Sequence, residues 1–487
     1  MPPHTNTALE VGAARQLFVD DAAVLSRRGT IRVLHAAETQ DEPVIRADRP
    51  WEGKRVYCFG SVRRDAQTGR WRMWYLSRMG EGAGSLYEGA DPHGDAVLYA
   101  ESDDGLTWEK PDLNVVAAGG APSNILIPGH HAPTVFAPPD GVPGVYLAAW
   151  SWAERDYRCY HAADSIRFGA TSDAPMFAPS GETLEVISVD RTPVTGQWLA
   201  YHRAWDHRFW PARRAIACRT SDDATVWSEP RRCLTPDVVD DQDPELGAAA
   251  PGMGGEFYTL SGFWYESQFL GLLPVFRVQS YDPRDPSKES DPGTGSGVVS
   301  GWDGPLDVQL ASSRDGVTWQ RSDPRMYVLP RGPEGRHDGG SILSTADKPV
   351  VTEDEIFVYY TAMTTSHGGP MPPKEMSIGL ARWRRDGFAS LYAAEEGYVE
   401  TAPLSIPTGR ARLMINADAS GGRVTAELCG QDGRVIEGYG ADACRGLDAA
   451  DGLAAPIGWK GKSHLPAGQP VRIRFRLRRV HLYSYWF

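Results

Sequence analysis

A short turn signature recurs along this chain and constrains its fold more than any other feature. Its three clear copies begin with Ser, carry Asp at the third position and end in Trp; they span residues 102–108, 221–227 and 313–319. Weaker copies lie at 164–168 and 385–388. The aspartates of the five copies are about 60 to 90 residues apart, which suits one four-stranded sheet per repeat; they are Asp104, Asp164, Asp223, Asp315 and Asp386. Five such sheets predict a closed five-bladed β-propeller.

The chemistry of the signature indicates a turn. Each clear copy follows a run of strand-forming residues, at 97–100, 215–218 and 308–311. Asp accepts hydrogen bonds from its own turn backbone, and Gly adopts positive φ without strain. We therefore interpret these aspartates as turn formers, and we expect each Trp to pack between neighbouring sheets.

The pattern divides the chain into three parts, all of them β. Residues 1–50 form an N-terminal segment predicted to close onto the propeller or onto a second domain. Residues 51–395 form the five-bladed propeller, which is the expected catalytic domain. Residues 396–487 alternate apolar and polar side chains between turns such as Gly421-Gly422 and Asp432-Gly433, which predicts an antiparallel β-sandwich.

Composition and charge narrow the classes of partner. A net charge of −13 argues against nucleic acid and against an anionic membrane surface. Sixteen Trp and 19 Tyr in such a protein favour a neutral polar ligand such as a sugar. The start of the chain has neither a basic region nor an apolar core, and no run reaches membrane-spanning length, so neither a signal peptide nor a transmembrane segment is expected.

The cysteines favour a reducing compartment. The six cysteines are Cys58, Cys159, Cys218, Cys233, Cys429 and Cys444. Their spacing does not match a metal-ligand motif, and several of them stand inside apolar strand runs. Reduced thiols of this kind are typical of a cytoplasmic protein, and a cytoplasmic location is our prediction. The sequence leaves the oligomeric state open.

A propeller followed by a sandwich, with S-x-D-G-x-T-W turns and paired strand aromatics such as Trp74-Tyr75 and Tyr359-Tyr360, resembles the invertase, levanase and arabinanase group of five-bladed glycosidases. The resemblance is one of architecture over most of the chain. It implies carboxylates at the starts of inner strands in different blades. The W-M-N-D-P-N-G, R-D-P and E-C motifs of the invertase branch are absent. No catalytic residue therefore transfers by motif.

Hydrolysis of a glycosidic bond generally needs two carboxyl groups that flank the bond. Acids that stand near the first strands of the predicted blades are therefore the catalytic candidates, and only the second blade offers none. These candidates are Glu52, Glu182, Asp190, Glu245 and Asp338. Glu245 belongs to an acidic cluster, in which mutual repulsion raises the pKa of some members. Asp338 follows Gly335 and precedes Gly339-Gly340, which let a backbone approach a ligand.

Polar and aromatic residues near the same positions are the candidates for substrate binding. They are Trp51, His130, His131, Arg203, Arg336, His337 and His367. The predicted carboxylate mechanism requires no cofactor. A structural cation on the propeller axis, with His337 as a ligand, is compatible with this mechanism, although the sequence contains no metal motif.

The predicted function is hydrolysis of a small oligosaccharide or glycoside, including a furanoside such as a fructosyl or arabinosyl unit, by carboxylates in the axial cavity. One alternative is a histidine-based polysaccharide or oligosaccharide lyase, which the histidines before the second and fifth blades favour. A second alternative is a sugar-binding propeller without catalysis. Transfer to phosphate or to another sugar is a further reaction that the same scaffold allows.

Overall fold

The structure is a computed structural model. It describes residues 9–11, 13–80, 82–177, 186–209, 212–247, 249–281, 301–322, 324–370, 373–406, 412–466 and 468–487. Five β-sheets are arranged in a ring, and a further β-sheet region follows at the C-terminus. The predicted five-bladed propeller and the all-β class are therefore confirmed.

Blades one to three are antiparallel four-stranded sheets. From the inside outward, blade one contains Val56–Arg64, Trp71–Arg78, Asp95–Ser102 and Ile125–Pro128. Blade two contains His130–Phe136, Val145–Ser151, Asp156–Ala162 and Gly169–Ala170. Blade three contains Ile187–Arg191, Trp198–Asp206, Arg213–Ser221 and Arg231–Leu234.

Blades four and five are more elaborate. In blade four, two short inner strands pair with the next strand, and two short outer strands complete the sheet; the strands are Gly255–Phe257, Ser261–Tyr265, Gln268–Arg277, Leu306–Ser313, Trp319–Arg321 and Tyr327–Leu329. Blade five contains Ser341–Thr345, Glu355–Met363 with its partner Val350–Val351, and Met376–Arg384. Its outermost strand, Glu38–Thr39, comes from the N-terminal segment and closes the ring.

The described helices are short 3-10 turns, and three small pairs of strands lie outside the blades. The helices are Pro50–Glu52, Ala83–Ser85, Asp240–Gln242 and Pro244–Leu246. The small pairs are Ala117–Ala118 with Ala121–Pro122, Ser280–Tyr281 with Trp302–Asp303, and Leu9–Glu10 with Leu404–Ser405.

The repeated aspartates form turns in four of the five copies. Asp104 accepts hydrogen bonds from the backbone N–H groups of Leu106 and Thr107 at 2.7 and 2.8 Å. Asp164, Asp223 and Asp315 make the same pair of bonds. The turns also lock neighbouring blades together, because buried tyrosines donate to their carbonyls: Tyr359 to Gly105 at 2.6 Å and Tyr201 to Gly316 at 2.8 Å.

The fifth aspartate has a different role. Asp386 has a φ of 60° and is 2% exposed. Its carboxylate accepts from Arg15 of the N-terminal segment at 2.8 Å, from Tyr265 of blade four at 2.7 Å and from Ser484 of the last strand at 2.5 Å. The turn-former interpretation misses this function, because the partners lie 98 to 371 residues away along the chain.

The C-terminal region forms a ten-stranded antiparallel assembly around its own apolar core. Two long strands, Ala389–Thr401 and Arg472–Trp486, organise it. The other strands of the domain are Leu413–Asp418, Arg423–Cys429, Cys444–Arg445, Leu447–Asp448 and Asp451–Trp459. The N-terminal segment adds Gln16–Leu17, Val24–Arg28 and Ile31–Leu34. This segment therefore joins both domains, and the predicted boundary at 395/396 falls within a strand.

None of the helices among the described residues combines the length and the apolar character needed to cross a bilayer.

Candidate functional site

A cavity of about 370 Å³ opens at the end of the propeller where several inner strands begin. Its lining comes from all five blades and is aromatic and basic. It consists of Tyr57, Phe59, Arg78, His131, Trp152, Arg203, Trp205, Arg214, Tyr258, Trp302, Leu343, Met363, His367 and Met376. We call this the axial cavity. The predicted convergence of distant residues at the hub is present, but the residues that meet there differ in kind from the predicted acids.

Irregular strand pairing near the cavity sets the direction of several of these side chains. The inner strand of blade two shifts register between His131 and Thr134, and Ala132 between them has a φ of 47°. The inner strands of blades one and five shift register too, between Tyr57 and Ser61 and between Ile342 and Ser344. A β-bulge bends a strand and redirects its side chains, and bulges are common beside functional sites.

Asp95 holds one wall of the axial cavity in place. Its carboxylate is fully buried and accepts two hydrogen bonds from Arg78, at 2.6 and 2.8 Å. It also accepts from the indole of Trp152 at 2.8 Å and lies 2.9 Å from Nδ1 of His131. Burial alone would raise the pKa of Asp95, but Arg78 and His131 hold it well below its usual range. Asp95 is therefore an anion at neutral pH.

The contact with Asp95 assigns the tautomer of His131. Nδ1 lies 2.9 Å from the carboxylate, which only accepts, and 3.4 Å from Nη2 of Arg78, which only donates; the shorter contact places the proton on Nδ1. In the neutral ring Nε2 is then the acceptor. His131 lines the cavity and is 7% exposed. A carboxylate that orients an imidazole in this way produces a group suited to proton transfer.

Arg214 lies in blade three, at the start of the strand Arg213–Ser221. It is 5% exposed, and its Nη1 donates to Glu256 at 2.6 Å. Its guanidinium carbon lies 5.2 Å from the ring centre of Trp205 and 4.9 Å from that of Trp302. Arg203 also approaches Trp205, at 5.4 Å. These contacts follow from the strand register, since Trp205 and Arg214 face each other on adjacent strands.

His367 is a neutral acceptor in this site. Its Nδ1 lies 2.9 Å from the carbonyl oxygen of Trp302 and therefore carries the proton, while Nε2 lies 3.2 Å from the hydroxyl of Tyr258, which donates to it. Burial and the nearby Lys374 lower the pKa of His367 to about 3. Burial also lowers the pKa of Lys374 to about 7, and its ammonium donates to the carbonyl of His367 at 2.7 Å.

Three of the predicted binding residues meet in the axial cavity. They are His131, Arg203 and His367, which come from blades two, three and five. Their positions agree with the expectation that function concentrates at the hub. Their roles in binding remain a proposal.

Glu52 does not lie where the sequence analysis expects it. Its carboxylate is fully buried, and it accepts from Tyr75 at 2.7 Å, from Lys110 at 2.8 Å and from the backbone of residues 48 and 49. These donors close the short helix Pro50–Glu52 onto blade one. Trp51 donates to Asn124 at 2.8 Å in the same region. Neither residue lines the axial cavity, so their expected position is wrong.

The predicted trio of blade five also lies away from the axial cavity. Asp338 is fully buried and accepts from Arg336 at 2.6 and 2.8 Å and from Tyr360 at 2.8 Å. Arg336 also donates to Thr39 of the strand that closes the ring. His337 and Arg336 line a separate cavity of about 320 Å³. The glycine-rich loop therefore serves ring closure, which the sequence could not reveal because its partner lies about 300 residues earlier.

The remaining predicted residues that the structure describes occupy three different places. Glu245 is half exposed and accepts from Arg277 at 2.8 Å and from Arg331 at 2.5 Å. Asp190 lies at the far end of an inner strand, where it binds Lys348 and the backbone of Trp264. His130 contacts Tyr160 outside the cavity lining. Glu182 lies outside the described residues. None of the described carboxylate candidates lines the axial cavity, and their catalytic roles remain predictions.

Several cavity residues were missed by sequence reasoning. The missed residues lie at the cavity-facing ends of strands: Arg78 ends the second strand of blade one, and Asp95 and Arg214 lie at the starts of third strands. The predicted acids, in contrast, stand before or on first strands. An antiparallel sheet brings the end of the second strand and the start of the third beside the start of the first. Charged residues at those strand ends were the available signal.

Among the residues that the structure describes, no group of three or more His, Cys, Asp or Glu side chains is placed to hold a metal ion. The axial cation remains a prediction.

Comparison with known proteins gives similarity in structure but not in sequence. No protein-family model matches the chain, and no curated protein matches it. Similar solved structures include a putative glycoside hydrolase from Bacteroides ovatus, with 12% identity over 72% of this chain and 97% of that chain and a TM-score of 0.44. An N-acetylgalactosamine deacetylase from F. plautii, in complex with blood group B trisaccharide, has 14% identity over 73% and 96%, with a TM-score of 0.45. A thermostable family-43 glycoside hydrolase has 12% identity over 66% and 88%, with a TM-score of 0.41.

Proposed function

We propose that the protein is a glycoside hydrolase that cleaves a small saccharide bound in the axial cavity. The observation that carries this proposal is the composition of the cavity wall, where six aromatic rings lie beside three arginines and two histidines in about 370 Å³. Aromatic faces stack on the C–H faces of sugars, and the polar groups bind hydroxyls. A cavity of this volume falls in the range of small-molecule sites.

His131 is the proposed proton-transfer group. Its Nδ1 is held by Asp95 and its Nε2 is the ring's acceptor, so the imidazole can remove a proton from an attacking water. The oxygen of that water then bonds to the anomeric carbon as the bond from this carbon to the leaving sugar oxygen breaks. The leaving oxygen takes up a proton from solvent, and the imidazolium releases its proton to solvent, so that one water is consumed. Asp95 acts as a positioning residue, because it is fully buried and reaches substrate only through its partners.

The same pair supports elimination as a second candidate. A lyase needs a base that removes the proton next to a uronate carboxylate, and an oriented imidazole can do this. Elimination leaves a carbon–carbon double bond in one product and adds no water. The two reactions are therefore separated by their products.

The test is a screen of aryl glycosides and short oligosaccharides, both pyranosides and furanosides, with products read by mass and by ultraviolet absorbance. Hydrolysis adds the mass of water across the two products, whereas elimination gives an absorbing product without that gain. His131→Gln should lower kcat/KM by about 100-fold or more. The matched control is His161→Gln, on a strand of the same blade but outside the cavity, which should retain activity within about twofold. Full activity of His131→Gln, or no cleavage across the panel, would overturn the proposal.

A further inference from the structure

The charge of the axial cavity differs from that of the whole chain. The chain carries a net charge of −13, which by itself favours a neutral ligand. The described lining nevertheless contains three arginines and no Asp or Glu. Asp95, which contacts Arg78, and Glu256, which contacts Arg214, are 0% and 2% exposed and lie behind the lining. The surface that a ligand meets is therefore basic.

Arg214 has a hydrogen-bonding requirement that the described protein does not meet. Glu256 accepts from its Nη1, but its buried Nε has no hydrogen-bond partner among the described residues. The neighbouring rings of Trp205 and Trp302 stabilise the charge through cation–π contacts. They do not supply an acceptor oxygen for Nε–H. A buried donor without an acceptor costs stability. The Nε atom itself is shielded, so a ligand meets the guanidinium through the part of Arg214 that lines the cavity.

We infer that the saccharide site includes an oxyanion subsite at Arg214, beside Trp205. A carboxylate, sulfate or phosphate oxygen accepts charge-assisted hydrogen bonds from a guanidinium group, and these are stronger than bonds from a neutral hydroxyl. The planar guanidinium suits such groups better than an ammonium does. The aromatic ring beside it gives the sugar a stacking surface while the anionic group is held.

Two sources can supply the same oxyanion chemistry. One is an acidic substituent on the sugar itself, and the other is free phosphate that acts as a co-substrate. The inference deepens the proposed function and rests on it for the placement of the sugar. Binding and cleavage are separate measurements, so the two can fail independently.

The test is calorimetric titration at low ionic strength with matched pairs: glucose and glucuronate, galactose and galacturonate, mannose and mannuronate, together with inorganic phosphate and sulfate alone. At least one anionic member should bind about 10- to 100-fold more tightly than its neutral partner, or phosphate should bind by itself. Preference for a uronate without competition from phosphate identifies a sugar substituent. Binding of phosphate with a sugar phosphate among the reaction products identifies a co-substrate.

The informative variant is the double substitution Arg214→Gln with Glu256→Gln, which removes both charges and leaves neither unpaired. It should abolish the preference for anions, so that each anionic sugar and its neutral partner bind with similar affinity. The matched control is Arg321→Gln with Asp240→Asn, another buried pair with 5% and 1% side-chain exposure, which lies in and beside blade four and outside the cavity.

Three results would overturn the inference: equal or tighter binding of every neutral partner, no binding of any anionic probe, or an anion preference that survives in the Arg214 double variant. Cleavage of a neutral saccharide without anion preference would leave the proposed function and remove the oxyanion subsite. Anion preference without cleavage of any saccharide would support the oxyanion subsite and overturn the proposed hydrolase function.

Discussion

Replacement of Asp95 by Asn tests how one wall of the axial cavity is held. The substitution keeps the shape of the side chain but removes the charge that Arg78, His131 and Trp152 contact. Removing one partner of a buried ion pair costs about 3–5 kcal/mol. The Arg78 side chain keeps 20% exposure, so water compensates part of this loss. We expect the free energy of unfolding to fall by about 2–3 kcal/mol at pH 7.

The pH dependence of that loss follows from the pKa of Asp95. Its pKa is lowered in the folded state, so the carboxylate contributes stability above the unfolded value of about 3.9 and loses it as pH falls further. The difference between wild type and Asp95→Asn should therefore be constant from pH 7 to about pH 5 and shrink below about pH 4. Urea unfolding followed by Trp fluorescence at several pH values measures this difference.

A matched control separates general stability from the effect on the cavity. Glu400 is 5% exposed and pairs with Arg472 and Arg474 in the sandwich. Glu400→Gln should lower stability by about 1–3 kcal/mol without changing saccharide binding. Asp95→Asn should lower stability and also weaken saccharide binding. Unchanged stability together with unchanged saccharide binding in Asp95→Asn would refute the reasoning.

Three further predictions concern the rest of the molecule. Lys374→Met removes a buried amine whose pKa is about 7 in the folded protein and about 10.4 in the unfolded chain. Between pH 7 and 10 the unfolded chain binds a proton that the folded protein does not. The stability of wild type relative to this variant, measured by urea unfolding, should therefore rise by up to about 1.4 kcal/mol per pH unit. Tyr201→Phe removes the donor to Gly316 and should cost about 1–2 kcal/mol, whereas Tyr398→Phe in the sandwich should cost under about 0.5 kcal/mol in the same assay. Asp386→Ala removes a shared buried acceptor and should lower the unfolding free energy by about 3 kcal/mol or more; a change under about 1 kcal/mol would contradict its role in joining the domains.

The fold was predictable because its signals are local. An aspartate such as Asp104 bonds to backbone groups two and three residues away, so its turn can be recognised within a short window. Four such windows, together with the weaker copy at Asp386 that does not form this turn, suffice to indicate five sheets. The closing strand Glu38–Thr39 was not recognisable, because two residues carry no periodicity and their partner lies in Met376–Arg384.

The candidate site was predictable only in part. Its location at the hub follows from the ring. His131 was identified near the start of an inner strand, whereas Arg203 and His367 were identified after second strands, from which they could reach the same rim. The acids were assigned to the wrong place because the sequence pattern of a carboxylate before a strand is the same whether its side chain faces the hub or binds a loop. The four donors to Glu52 become visible only when blade one is folded. Likewise, Arg214 and Trp205 become neighbours only through their cross-strand register.

The most direct test of the central claim is a crystal structure of the protein with its tightest-binding saccharide. The account predicts a sugar ring in the axial cavity, in contact with Trp205 and with an acceptor oxygen within hydrogen-bonding distance of Arg214. A saccharide held instead in the separate cavity beside Arg336 and His337, with the axial cavity unoccupied, would contradict it.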